Sequence, residues 1–175
     1  MTDIKKRKIL LVMKRIKIVL IFSTLFLSQI FVACKSNGQK EISVNIYLIA
    51  FEGSNLNGEK IGCNDILVPI TKNVLIENNE VEAALNELLA TPSTDELKNF
   101  IKGPSLIVYQ VNIANGVADV YLKGDFDITG LCDIPRIKEQ LYETAKQFPD
   151  IKNVEIYIND KTLESYLSVS EQGFK

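Results

Sequence analysis

Asp125, Asp127 and Thr129 alternate along Asp-Phe-Asp-Ile-Thr, the Asp-x-Asp-x-Thr order that aspartyl phosphotransfer uses. That chemistry needs the first Asp as a nucleophile at the end of a buried apolar strand, beside Mg²⁺. Lys123 and Gly124 precede it here, so the requirement is not met. The same oxygens suit a Ca²⁺ loop only in part, because Gly130 comes early and no Glu closes a loop of EF-hand spacing. A solvated turn is the expectation for this segment. Glu77, Glu80, Glu82 and Glu87 read as a solvated face that also favours a helix N-terminus. Glycoside hydrolysis needs two acids across a cleft, and no pattern places two there. The 175 residues include no His. A Ser-His-Asp triad, a Cys-His dyad and His-ligated zinc are therefore excluded. Three Cys are too few for a four-thiolate zinc site. The expectation is a non-enzyme, with no cofactor and no bound metal.

Charge is unevenly placed along the chain. Residues 1–34 hold seven of the 20 basic residues and one of the 22 acidic ones, which leaves the remainder at net −8. With a sequence pI of about 5.3, nucleic acid is excluded as a partner of the whole chain. The basic start is followed by an apolar run from Ile18 to Ala33, broken only by Ser23, Thr24, Ser28 and Gln29. This is the pattern of an export signal. It ends in Phe31-Val32-Ala33-Cys34, which resembles the lipobox of bacterial lipoproteins, with Phe31 where Leu is usual. The resemblance implies cleavage after Ala33 and lipidation of Cys34. An uncleaved anchor and an ordinary cleaved signal are the alternatives; against the anchor, the run is about 16 residues where a spanning helix needs roughly 20. A start at Met13 would give a signal of more usual length. Residues 1–33 are read as a lipoprotein-type signal peptide, 34–41 as lipidated Cys and polar tether, and 42–175 as the folded domain. The protein is then exported and lipid-anchored to the cell membrane or outer membrane, facing periplasm or exterior, with multiple acyl chains giving a stable anchor.

Within 42–175 the hydrophobic periods predict the elements that must carry any site. Ile42, Val44, Ile46 and Leu48 alternate with polar residues and predict a strand over about 42–51. Residues 52–65 are rich in Gly and Asn and read as a loop. A second strand over about 66–74 contains Pro69, which demands an edge or a bulge. Val81, Ala84, Leu85, Leu88 and Leu89 form one helix face, ended by Pro92. Ser93 and Glu96 suggest a capping box and a short second turn through Phe100. Leu106 to Leu122 read as a hairpin about Asn115-Gly116, a type I′ pair. That turn predicts Ile113 opposite Ala118, Val111 opposite Val120 and Tyr109 opposite Leu122. Asp133 is the expected cap of a second helix with Ile134, Ile137, Leu141, Ala145 and Phe148 on its apolar face. Val154, Ile156 and Ile158 predict a last strand, Asn159-Asp160 a turn, and 162–168 a short helix over the edge. The order β-β-α-β-β-α-β predicts an α+β fold: one mixed or antiparallel sheet with two helices packed on one face.

The landmarks now form a set. They are Ile42-Ser-Val-Asn-Ile-Tyr-Leu48, Leu67-Val-Pro-Ile70 with Lys72, and Glu82-Ala-Ala-Leu-Asn-Glu-Leu-Leu89 before Thr91-Pro92. Asn115-Gly-Val-Ala-Asp-Val120 follows, then Gln140-Leu-Tyr-Glu-Thr144 through Gln147-Phe-Pro149 to Val154-Glu-Ile156. In order and spacing this resembles the GerMN domain, the sporulation and spore germination module, over roughly residues 42–161. Lys72 stands where the family often has Arg, and Asn159-Asp160-Lys161 where it has Asp-Gly. The resemblance implies a cell-envelope domain, often on a lipoprotein, without known catalysis. Similar members carry Cys before the Leu-Val-Pro-Ile strand and before the second helix. For an exported chain this implies a disulfide between Cys63 and Cys132. Two free thiols, or a redox pair lacking Cys-x-x-Cys, are the other readings of those residues. The functional expectation is a protein-interaction or scaffolding module meeting an envelope partner. The alternative is a module that binds cell-wall glycan (peptidoglycan) or a small ligand through Tyr47, Tyr121 and Tyr157, all predicted on the non-core strand face. Ordinary cross-strand packing is the plainer account of those tyrosines. An unpaired strand edge would favour a protein partner.

Changing Cys34 to Ala is expected to abolish labelling of the protein by a fatty-acid analogue in cells. Undiminished labelling would overturn the lipoprotein reading.

Overall fold

Alternating β-branched residues and two amphipathic helices produce the expected element order, with two added strands of two residues each. The computed structural model describes residues 40–103 and 105–172, so the predicted signal segment 1–33 and Cys34 lie outside the described residues. Strand β1 is Glu41–Ala50, β2 Glu59–Lys60, β3 Ile66–Leu75, β4 Ile107–Ala114, β5 Val117–Lys123, β6 Asn153–Ile158 and β7 Lys161–Thr162. Helix α1 is Glu80–Ala90, α2 Asp133–Lys146 and α3 Leu163–Gln172. Helix α3 is the short helix expected over the edge, begun one residue later and carried further.

The α+β class holds, but the strands divide between two sheets where one was expected. The first is antiparallel, in the order β1-β3-β2; the second is mixed, in the order β4-β5-β6-β7. β5 and β6 run parallel, joined by α2, and the other pairs are antiparallel. One sheet cannot form because the free edge of β1 is already occupied by α2 side chains and by Lys98. Helices α1 and α2 pack against strands of both sheets. A shared core of Ile46, Leu85, Leu88, Leu122, Leu141 and Ile156, with others around it, is closed from water. Pro69 sits in β3 opposite Tyr47 without a bulge. β2 covers β3 only at Ile66 and Leu67, so the missing donor of Pro69 falls on an uncovered stretch of edge.

The hairpin register is as predicted at Ile113–Ala118 and Val111–Val120, and Asn115 and Gly116 take φ of 54° and 81°. Positive φ at both central residues is the type I′ geometry, which suits Asn and Gly. At Tyr109 the prediction fails. A bulge between Val108 and Gln110 puts Val108, not Tyr109, opposite Leu122. The extra residue turns Tyr109 out to the solvent face, where Lys123 Nζ lies 3.3 Å from its ring centroid.

Of α1 and α2, it is α2 whose start differs from expectation. Asn79 caps α1 by accepting the Glu82 N–H at 2.8 Å. Asp133 is the first residue of α2 and does not cap it, because its carboxylate is turned to Thr129 and Arg136. The turn expected over 93–100 is not helical. Ser93 Oγ accepts the N–H of Asn99, and Lys98 exchanges two backbone hydrogen bonds with Ile49 of β1, which holds the segment extended.

Leu141 is fully buried on the inner face of α2. Leu141→Ala is expected to cost about 2–5 kcal/mol in urea unfolding, the range for a buried leucine truncation. An unchanged midpoint would place the helix face elsewhere.

Candidate functional site

Alternation along β1 leaves the backbone groups of Asn45, Tyr47 and Ile49 pointing away from β3. All six groups are satisfied from outside the sheet. Gln147, just past the end of α2, takes the Asn45 N–H on Oε1 and returns Nε2–H to the Asn45 carbonyl, each at 2.7 Å. Thr144 Oγ1 accepts from Tyr47 N–H at 3.3 Å, and Gln140 Nε2 donates to the Tyr47 carbonyl at 2.6 Å. Lys98 completes the row at Ile49, with bonds of 2.9 and 2.7 Å. Gln140 Oε1 also accepts the Phe100 N–H at 2.8 Å, and Asn99 donates to the carbonyls of Leu88 and Thr91. Helix α2 thus acts as a substitute strand and covers this edge.

The expected disulfide between Cys63 and Cys132 is present, with Cα atoms 5.9 Å apart. It ties the 3-10 turn Gly62–Asn64 to the start of α2. Beside it, Arg136 Nε donates to Asp65 Oδ2 at 2.6 Å and NH1 donates to Asp133 Oδ1 at 3.1 Å. The guanidinium is held between the rings of Phe51 and Phe100, 4.9 and 4.7 Å from their centroids. Thr129 donates to Asp133 Oδ2 through both N–H and hydroxyl, each at 2.8 Å. Burial opposes ionisation of Asp133, but the Thr129 and Arg136 hydrogen bonds outweigh it and hold its carboxyl below its ordinary value. Each charge in the cluster is partnered, so it is a cross-brace and offers no free group for chemistry.

The three candidate tyrosines do not converge. Tyr121 and Tyr157 are cross-strand neighbours on the outer face of the second sheet, stacked with ring centroids 5.0 Å apart. Tyr109 shares that face. Tyr47 lies on the other sheet, where burial, then the Glu143 carboxylate, pushes its hydroxyl up from its ordinary value. Asp125, Asp127 and Thr129 do not converge either. Asp125 accepts from the Tyr166 hydroxyl at 3.0 Å, and Thr129 is committed to Asp133. Among the described residues, no group of three metal-ligating side chains is gathered.

The remaining feature is an edge. β4 has β5 on one side and, among the described residues, no strand on the other. Its eight residues carry no charge. Ile107, Tyr109 and Ile113 are 52%, 57% and 44% exposed, three of the six large hydrophobics most open to solvent in the described residues. Ile113 also lines an open groove of about 310 Å³ with Ile76, Val81, Phe148 and Ile151, rimmed by Glu80. The sequence contained the signal for this edge, an uncharged strand of alternating apolar residues. It contained none for Arg136 as a brace or for Gln140 and Gln147 as edge partners, because those roles depend on contacts 71 to 102 residues away.

Against known proteins, the fold is similar to the tandem GerMN domains of the sporulation protein GerM from Bacillus subtilis. That match has 18% identity and a TM-score of 0.50, and covers 75% of this chain and 43% of that one. This chain therefore spans less than half of the tandem structure. The first GerMN domain of the same protein aligns at 18% identity and TM-score 0.47, over 70% of this chain and 86% of that one. No curated protein matches the chain. The fold is thus α+β, of the kind seen in the tandem GerMN domains. A family model described as Germane, sporulation and spore germination, matches residues 45–164, and the chain belongs to that family.

A carboxyl held below its ordinary value stabilises the fold above its unfolded pKa, about 3.9, and loses that contribution as pH falls through its folded value. Asp133→Asn is therefore expected to lower the urea midpoint at pH 7, with the gap to the parent closing as pH falls below about 4. A gap independent of pH would remove Asp133 as an acid-sensitive brace.

Proposed function

We propose that this protein is an exported lipoprotein, anchored through Cys34 at the bacterial cell envelope, whose domain works without catalysis by binding a protein partner. The observation that carries this reading is the free edge of β4. An uncharged strand with unpaired backbone groups and exposed apolar side chains is a template for another chain. Membership of the sporulation and germination family supports an envelope role, and the lipobox-like Phe-Val-Ala-Cys supports the anchor.

A second reading rests on the stacked Tyr121–Tyr157 pair, which offers a flat aromatic surface to a cell-wall glycan or another small ligand. Tyr157 is partly buried there, and desolvation, then the nearby Asp119 and Glu155 carboxylates, push its hydroxyl up. Tyr47, on the other sheet, is not available to this surface.

In-situ crosslinking of the lipidated protein, followed by mass identification, tests the two together with a titration of soluble peptidoglycan fragments. A defined protein partner that is recovered with the parent chain and lost in Ile113→Lys is expected, with no saturable fragment binding. Fragment binding that disappears in Tyr121→Ala or Tyr157→Ala, with no edge-dependent partner, would replace the protein reading by the glycan reading.

A further inference from the structure

Among the described residues the fold presents four sheet edges, and three are protected. β1 is covered by Gln140, Thr144, Gln147 and Lys98. β2 and β7 are two residues long and each carries a Lys. Where β3 emerges beyond β2, Pro69 removes a donor and Lys72 adds a charge. Short strands, lysines, prolines and covering helices are the usual devices against edge pairing. β4 has only the bulge near Tyr109, and from Gln110 to Ala114 it is regular and uncharged.

The hairpin fixes which groups are free. Ala114 and Asn112 exchange bonds with Val117 and Asp119, so the N–H and C=O of Val111 and Ile113 point away from β5. This pattern is complementary to itself. If two copies meet antiparallel about Asn112, Val111 lies opposite Ile113 of the other copy, and Ile113 opposite its Val111. Each pair exchanges two backbone hydrogen bonds. Both side chains of each pair lie on the inner, apolar face, so the exposed Ile113 is covered. Asn112 meets its own copy on the outer, polar face. The charges outside the strand also favour this direction. Lys123 stands at one end of β4, while at the hairpin end Glu80 and Asp150 outnumber Lys152, so antiparallel pairing sets unlike net charges together. Elsewhere the net −8 of residues 35–175 opposes contact between copies.

We propose that the occupant of this edge is a second copy of the same chain, paired through β4 about a twofold axis at Asn112. The two four-stranded sheets then become one sheet of eight strands. This rests on reading β4 as the protein-contact surface and names the partner.

The test introduces single cysteines into the full-length protein in cells at Gln110, Asn112 and Ala114, and at Glu155 on the outer face as control. The parent chain runs alongside to account for Cys34. Opposed residues of a non-hydrogen-bonded antiparallel pair have Cα atoms about 4.5 Å apart, within disulfide reach. Asn112→Cys is expected to give a covalent homodimer on a non-reducing gel at least tenfold above Glu155→Cys, with less at Gln110 and Ala114. Adding Ile113→Lys should return it to the control level while the Cys63–Cys132 bond stays intact. No homodimer above control at any β4 position overturns the proposal, as does a homodimer that survives Ile113→Lys. A mixed disulfide with a different protein at Asn112→Cys also overturns the second copy as occupant, yet leaves the protein-contact reading standing. Failure of that reading would instead appear as edge-independent fragment binding in the titration above.

Discussion

Gln140 is closed from water, and its amide joins three parts of the chain. It donates to Tyr47 in β1, accepts from Phe100 in the connection before β4, and approaches Asn99 Oδ1 at 3.3 Å. Asn99 in turn holds the last carbonyls of α1. These groups cannot turn to water, so every bond not made within the protein is a desolvation cost of about 1–3 kcal/mol. The arrangement therefore permits essentially one placement of α2 against β1. With α2 held there, β1 cannot accept another strand, and β4 to β7 must build a sheet of their own. A polar constraint thus decides how many sheets the domain has, and apolar burial then supplies most of the stabilisation.

The disulfide and the Arg136 cluster fasten the opposite side of the same helix. Residues 51–65 contain little apolar material to bury, and Cys63 and Asn64 adopt left-handed backbone conformations. Such a loop keeps its place through cross-links. The Cys63–Cys132 bond closes a separation of 69 residues, and the Asp65–Arg136 pair repeats that link with charge. On the chain-entropy account, a closure of this length contributes about 4 kcal/mol. Arg136 suits the position because a planar guanidinium can stack between two rings while its edge binds two carboxylates. The other end of α2 is linked to α3 through Glu164, which accepts from Tyr142 at 2.7 Å.

With the helix braced on both sides, the surface features divide by whether their polar groups are already committed. The Asp65–Arg136–Asp133 cluster, the β1 edge and the Asp125 turn are committed internally. The β4 edge is not, and neither is the tyrosine row beside it. Tyr109 reaches that row only through the bulge, which moves one residue across the sheet and shifts an aromatic ring from core to solvent. Lys123 over its ring shows the consequence: an exposed aromatic that has acquired a cation instead of a core. Among the described residues, the groups discussed here that are left uncommitted therefore lie on the β4 edge and along the tyrosine row.

Local sequence determined what depends on neighbours along the chain. Period-two runs gave the strands, the 3.6-residue spacing gave the helices, and Asn115-Gly116 gave a turn whose φ values set the hairpin register from Val111 to Ile113. The order of those elements was enough for the α+β class, the residue motifs along them carried the family resemblance, and Cys63 with Cys132 was legible through that resemblance. Tertiary structure alone decided the rest. The division into two sheets follows from side-chain amides on α2 reaching backbone about 100 residues earlier, and no local pattern marks a glutamine for that task. Ser93 and Glu96 satisfy a capping rule locally, yet the backbone of Lys98 finds better partners in Ile49 and the turn stays extended. Tyr47 alternates in β1 as Tyr121 does in β5, but sheet membership, which no alternation encodes, separates them. Period and turn chemistry act over a few residues and are written there, whereas the satisfaction of buried polar groups is a property of the closed molecule.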